Sequence, residues 1–152
     1  MKEGDIAPDF ELPAHDGEAV RLGAFRGKKN TVLCFYPKNH LFGCPSKKVF
    51  KMAQSIISAY SEIESANTIV LAISTDTVDA QARFVKEYSI PYVHLSDTTK
   101  ETCKQYAGLN IVGLARRSTF IIDRKGKICK IFRDIDAESH GTEILDFLKQ
   151  MS

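Results

Sequence analysis

Cys44 lies in the segment Pro37-Lys38-Asn39-His40-Leu41-Phe42-Gly43-Cys44-Pro45-Ser46, between a short apolar run and a long amphipathic stretch. A thiol at such a strand-to-helix junction meets backbone N–H groups that lack intrahelical partners. Those donors and the helix dipole favour thiolate over thiol, and can lower a cysteine pKa from about 8.5 to about 3.5–7.5. The thiolate is the nucleophile, so the segment points to attack on an oxygen or sulfur atom. Pro45 suits a first helical turn, where a missing N–H costs nothing, and Lys47 and Lys48 add positive charge nearby. The competing reading makes Cys44 a small loop residue, but structural cysteines usually sit inside elements. His40, the one histidine in the segment, offers a proton donor or else a polar surface residue.

The remaining chemistry-bearing residues are dispersed. Cys34, Cys103 and Cys129 form no CxxC pair with each other or with Cys44, which suits neither a disulfide-stapled secreted domain nor a zinc ribbon. Cys34 and Cys129 fall in strand-like runs and are expected in the core. His15, His40, His94 and His140 show no ligand spacing, so no metal is expected, and the single Gly43 does not make a phosphate-binding loop. Lys47, Lys48 and Lys51 make a basic patch that reads equally as a solvated helix face. With 21 basic and 19 acidic residues spread along the chain, the net charge of +2 supplies no field for nucleic acid or an anionic membrane. No apolar run approaches the roughly 20 residues that span a bilayer. Met1-Lys2-Glu3-Gly4-Asp5 lacks the apolar core of a secretory signal, and the expected address is cytoplasmic.

The elements that must carry Cys44 follow from periodicity. Thr31–Tyr36, Thr68–Ile73 and Ser118–Asp123 are apolar runs rich in β-branched and aromatic residues, expected as buried central strands. Tyr92–Leu95 is a fourth strand, and Lys127–Phe132 a fifth, antiparallel to its predecessor across the turn Arg124-Lys125-Gly126. Val49, Phe50, Met52, Ala53, Ile56, Ile57, Tyr60 and Ile63 recur at helical spacing. Val78 to Tyr88 makes a second helix capped by Asp76 or Thr77, Lys100 to Ala107 a short one ending at Gly108, and Ile144 to Leu148 the core of a last one. The N-terminal stretch through Gly27 reads as extended segments joined at Asp16-Gly17. With 152 residues this is expected to be a single α/β domain over 1–152 with a thioredoxin-like fold, a central mixed sheet flanked by helices with an N-terminal extension. Such a fold alone specifies no activity.

Several segments resemble the peroxiredoxins, the alkyl hydroperoxide reductase and thiol-specific antioxidant family. Gly4–Pro13, Phe25–Lys28 and Val32–Pro37 match that family's N-terminal pattern in order, and Leu95–Asp97, Arg117–Asp123 and Gly126–Ile128 match its C-terminal half. Phe35-Tyr36-Pro37-Lys38 is most similar to the bacterioferritin comigratory protein, or peroxiredoxin Q, branch. The resemblance implies a thiol-dependent peroxidase with no cofactor, acting on hydrogen peroxide and organic hydroperoxides. Cys44, seven residues after Pro37, matches the peroxidatic position; Pro37 matches the shielding proline; and Arg117, three residues before Phe120, matches the active-site arginine, with Arg116 as the neighbouring candidate. Leu41, Gly43 and His40 are the candidate substrate-binding residues of the segment. A permanently charged guanidinium suits a site that must hold both a thiolate and the charge developing on a leaving oxygen.

The match departs at two positions. Leu41 stands where the family has Thr or Ser, and Lys47 stands where it has Glu, which implies a slower peroxidase. Val49 occupies the place of the usual resolving cysteine, leaving Cys103 as the candidate resolving thiol or as a semi-buried helix residue. A thioredoxin-like protein or a small-molecule thiol is the expected reductant. Two other functions remain consistent with the residues: a monothiol disulfide oxidoreductase using Cys44-Pro45-Ser46, and a degenerate peroxiredoxin serving as a redox-sensitive binding protein.

Overall fold

The computed structural model describes residues 1–41, 44–45, 47–133 and 135–151, with residues 40, 41, 44, 45, 47 and 48 described by their backbone alone. In chain order the elements are β1 (Glu11–Pro13), β2 (Ala19–Arg21), a 3-10 turn at Leu22–Phe25, β3 (Asn30–Phe35), β4 (His40–Leu41), β5 (Cys44–Pro45), α1 (Lys47–Ser65), β6 (Thr68–Ser74), α2 (Val78–Tyr88), β7 (Val93–Ser96), α3 (Glu101–Tyr106), β8 (Ser118–Ile122), β9 (Ile128–Phe132) and α4 (His140–Met151). Among the described residues no helix is long and apolar enough to cross a membrane.

Five strands make the central sheet in the order β7-β6-β3-β8-β9. β3 lies parallel to β6 and β6 to β7, whereas β8 runs antiparallel to both β3 and β9, so the sheet is mixed as expected. Alternation along β3 explains the two layers. Val32, Cys34 and Tyr36 face a core with Met52, Ile56 and Ile63 of α1, Phe84 of α2 and Ile144 and Leu148 of α4. Leu33 and Phe35 face the other way, against the N-terminal arm, Phe120, and Cys103 and Tyr106 of α3. Tyr106 stacks on Phe35 with ring centroids 5.5 Å apart, and its hydroxyl donates to the Pro8 carbonyl, tying the arm to that layer. Each fully buried Leu, Ile or Phe contributes about 1.5–3 kcal/mol relative to exposure, so these two layers hold the strand ends in place.

Local signals account for the boundaries. Thr77 caps α2, accepting a hydrogen bond from the Ala80 N–H. Gly126 adopts φ +85° in the β8–β9 turn, a conformation open to glycine at little cost. α4 crosses α1 so closely that a Cβ on Gly141 would lie 2.1 Å from the Ser55 carbonyl oxygen, while the Gly141 N–H donates to Ser55 Oγ at 2.7 Å.

One expectation fails at Pro45. Cys44 lies between β3 and α1 as expected, but Pro45 is in β5 with it and not in the first turn of α1. The proline ring disfavours the α region for the residue before it, which keeps Cys44 extended, and the short β4–β5 ladder pairs Leu41 with Cys44 and His40 with Pro45.

Candidate active site

The parallel strands β3, β6 and β7 end on one side of the sheet, the side where crevices form in open α/β folds. Pro37 follows β3 there, Asp76 follows β6 and Asp97 follows β7. β8 starts from the same side. Its Ser118 pairs with Phe35, which brings Arg117 to the end of β3 where the Pro37–Cys44 segment departs. Pro37 and Arg117 thus share one end of the sheet, the end from which the chain runs on towards Cys44.

The two adjacent arginines differ in setting. Arg116 is exposed, with its Nε donating to the Leu109 carbonyl at 3.3 Å and its backbone N–H to Gly108. Arg117 is half-buried, and that burial pushes its guanidinium pKa down from the usual range. A guanidinium keeps its charge under such a shift, so Arg117 brings a fixed cation into a partly desolvated place. Gly43 lies outside the described residues, as do the side chains of Leu41, His40, Cys44, Lys47 and Lys48. Lys51, on the other hand, is exposed and ion-paired with Glu138 at 2.8 Å, on the solvated face of α1.

The other thiols are held protonated. Cys34 is fully buried in β3 and its pKa is pushed up to about 12 by desolvation. Cys103 is wholly rather than half buried, packed in the layer with Leu33 and Phe35, and desolvation followed by the Asp97 charge raises its pKa. Cys129 is half-exposed rather than a core residue, because β9 is the edge strand, and burial together with Asp123, whose Oδ2 is 3.6 Å from Sγ, raises it too. None of these three meets an arrangement that would generate thiolate near neutral pH.

Around Asn39, just past the end of β3, lies a buried polar cluster that no motif announces. The Tyr36 hydroxyl donates to Asn39 Oδ1 at 2.5 Å, with Gln81 Oε1 3.0 Å away. Asn39 Nδ2 donates to Gln81 Oε1 at 2.9 Å, and the Asn39 N–H donates to Asp76 Oδ2 at 3.0 Å. Gln81 Nε2 donates to Ser74 Oγ at 3.0 Å and to the Leu95 carbonyl at 2.9 Å, and Ser74 Oγ donates to Asp76 Oδ2 at 2.6 Å. One signal was present in the sequence: Gln81 interrupts the apolar stripe formed by Val78, Phe84, Val85 and Tyr88, and a polar residue on a buried helix face must find partners.

With this geometry in view, the sequence matches the AhpC/TSA family model over residues 4–131. The chain belongs to the AhpC/TSA family. Peroxiredoxin Bcp of Escherichia coli strain K12 is 34% identical over 158 residues, covering 99% of this chain and 97% of the relative. The crystal structure of peroxidoxin BcpB from Mycobacterium tuberculosis superposes with a TM-score of 0.88 at 28% identity, covering 100% of this chain and 99% of that one. A Xanthomonas campestris bacterioferritin comigratory protein, described for alkyl peroxide reduction, shares the fold with a TM-score of 0.82 at 21% identity over 93% of this chain and 91% of its own. This member of the AhpC/TSA family is therefore a peroxiredoxin of the Bcp type, with the thioredoxin-like α/β fold and the thiol-dependent peroxidase class of that group.

Proposed function

We propose that Cys44 is the peroxidatic nucleophile of this peroxidase, with Arg117 stabilising its thiolate and the departing oxygen and Pro37 shielding the sulfur from solvent. The observation that carries this reading is the Phe35–Ser118 register, which delivers Arg117 to the strand end from which the Cys44 segment leaves. In the reaction the Cys44 sulfur donates an electron pair to the outer peroxide oxygen. An S–O bond forms as the O–O bond breaks, the second oxygen leaves as hydroxide or alkoxide and takes up a proton, and Cys44 ends as a sulfenic acid. The sulfur is oxidised by two electrons and the peroxide reduced by two. A thiol, from a thioredoxin-like protein or a small molecule, then attacks the sulfenic sulfur, releasing water and forming a disulfide that a second thiol reduces.

Burial of Cys103 in the Leu33–Phe35 layer favours an external thiol as the resolving partner. A cytoplasmic address fits this cycle, because reducing pools keep thiols available there. Both hydrogen peroxide and organic hydroperoxides fit as substrates, and Leu41 adds an apolar residue that suits the latter, alongside His40 and Gly43 in the same segment.

Intact mass after one equivalent of hydrogen peroxide is the direct test. A single added oxygen located on Cys44, removed by a thiol reductant, is the expected result. Oxidation of Cys44 no faster than that of a free thiol would instead favour disulfide exchange.

A further inference from the structure

We propose that Gln81, on α2, is a positioning residue for Cys44: through Asn39 it sets where the Pro37–Cys44 segment leaves the sheet. This rests on Cys44 being the nucleophile. Gln81 and Asn39 are both 0% exposed, and the polar atoms of the Gln81 side chain are engaged on both sides of the amide.

The direction of the whole chain of hydrogen bonds follows from one backbone atom. The Leu95 carbonyl can only accept, so the Gln81 atom facing it is the NH2 nitrogen and Oε1 faces the other way. Oε1 then requires a donor, which Asn39 Nδ2 supplies. With its NH2 so committed, Asn39 presents Oδ1 to the Tyr36 hydroxyl, which donates. Each amide has one satisfactory orientation, and reversing either would oppose two donors or two acceptors in a buried place. The fork on Gln81 therefore joins the ends of β3 (Tyr36), β6 (Ser74) and β7 (Leu95) to a single residue of the segment.

From Asn39 the effect reaches Cys44 along backbone. Asn39 immediately precedes β4, and Leu41, two residues on, pairs across the ladder with Cys44. The Asn39 N–H is held by Asp76 as well, so both the main chain and the side chain are fixed before the ladder begins. A displacement at Asn39 is transmitted to the reacting cysteine, where misplacement by about 1 Å can cost 10²-fold in rate.

The test is single-turnover oxidation of Cys44 by hydrogen peroxide in the full chain, corrected for the thiolate fraction by a pH titration of each variant. Gln81→Met keeps the length and removes every hydrogen bond, and its rate is expected to fall by between about tenfold and 10²-fold. Gln81→Asn keeps the amide on a shorter arm, should lose less, and serves if Gln81→Met does not fold. Asn39→Ala should lose a similar factor, and Asn39→Ala combined with Gln81→Asn or Gln81→Met no more than the worse single change, because both act through one contact. Tyr106→Phe, which removes a buried hydrogen bond on the other sheet face, should lower the melting temperature without slowing oxidation. Rates for the Gln81 variants within about twofold of wild type, effects that multiply with Asn39→Ala, or a slowing by Tyr106→Phe equal to that of Gln81→Asn, would each overturn the role of Gln81. Retained peroxide consumption in Cys44→Ser would overturn the nucleophile assignment itself, a separate result.

Discussion

The two ends of the central sheet use polar residues in opposite ways. Where β3, β6 and β7 run out, Tyr36, Asn39, Ser74 and Gln81 are buried and joined in one hydrogen-bonded cluster. At the other end, Thr31, Ile122, Asp123, Arg21, Arg26 and Lys29 line an open cavity of about 170 Å³. Its Arg and Lys side chains are exposed, Asp123 is half-buried, and the Arg21–Asp9 pair at 3.3 Å is half in solvent, where such pairs contribute little. A buried polar group left without a partner costs about 1–3 kcal/mol, whereas an exposed one turns to water. The first end is consequently specified residue by residue and can hold a reacting sulfur in register; the second tolerates change.

The contrast would break most visibly at the proposed nucleophile. Cys44→Ser should abolish peroxide consumption, while Cys129→Ser and Cys34→Ser stay within a few-fold of wild type, as measured by peroxide disappearance with excess thiol. Loss of activity in Cys34→Ser equal to that in Cys44→Ser would move the chemistry into the core. Next in size, Arg117→Ala should raise the Cys44 pKa and slow oxidation by about 10²-fold, because one fixed cation leaves a small site. An unchanged thiolate titration in that variant would point to Arg116 or to backbone donors.

A smaller effect sharpens the picture at the position that departs from the family pattern. Leu41→Thr should speed hydrogen peroxide reduction by at least about tenfold, the return from one hydrogen bond to a charged group, with less gain for a bulky organic hydroperoxide. Stopped-flow comparison of the two peroxides decides it, and a fast wild type with no change in the variant would make His40 the first donor to test. Smallest of all, Arg26→Ala and Lys29→Ala at the open end should leave oxidation rates within about twofold and stability within about 0.5 kcal/mol. A larger loss in either would remove the asymmetry between the ends.

Much of the frame was legible because its signals are local. Val32 to Tyr36 and Val70 to Ile73 are apolar, β-branched or aromatic over a strand's length, and Val49 to Ile63 repeats at helical spacing, so β3, β6 and α1 emerge within a residue or two of their observed ends. Cys44, Pro37 and Arg117 are nominated by motif, and for Arg117 the Phe35–Ser118 register supports the proposed role. Pro45 satisfies two rules at once: it fits a first helical turn, yet it also restrains Cys44 to extended backbone, and the second prevails. The exposure of Cys129 is not legible, because alternation marks which face a residue takes but not that β9 is an edge. The Asn39–Gln81 contact spans 42 positions in the chain, so only the fold brings it together.

Two histidines that take no part in the proposed chemistry make the fold a consumer of protons when it opens. His94 is buried among Tyr36, Phe84 and Tyr92 with its pKa pushed down to about 3, and His140, 2.7 Å from Thr119 Oγ1 and 3.9 Å from the half-buried Glu143, is held at about 4, both by desolvation. An unfolded imidazole titrates near 6.5, so between that pH and the folded values the open chain binds up to two more protons than the native one, and stability rises with pH through this window. Acidification from pH 7 to pH 5 should remove on the order of 2 kcal/mol for each buried imidazole, read as a fall in the urea midpoint, and replacing His140 with Gln should flatten that slope. On acidification the same coupling draws down the folded population of a peroxide-consuming enzyme, a loss set by the core and separate from the chemistry of the reacting segment.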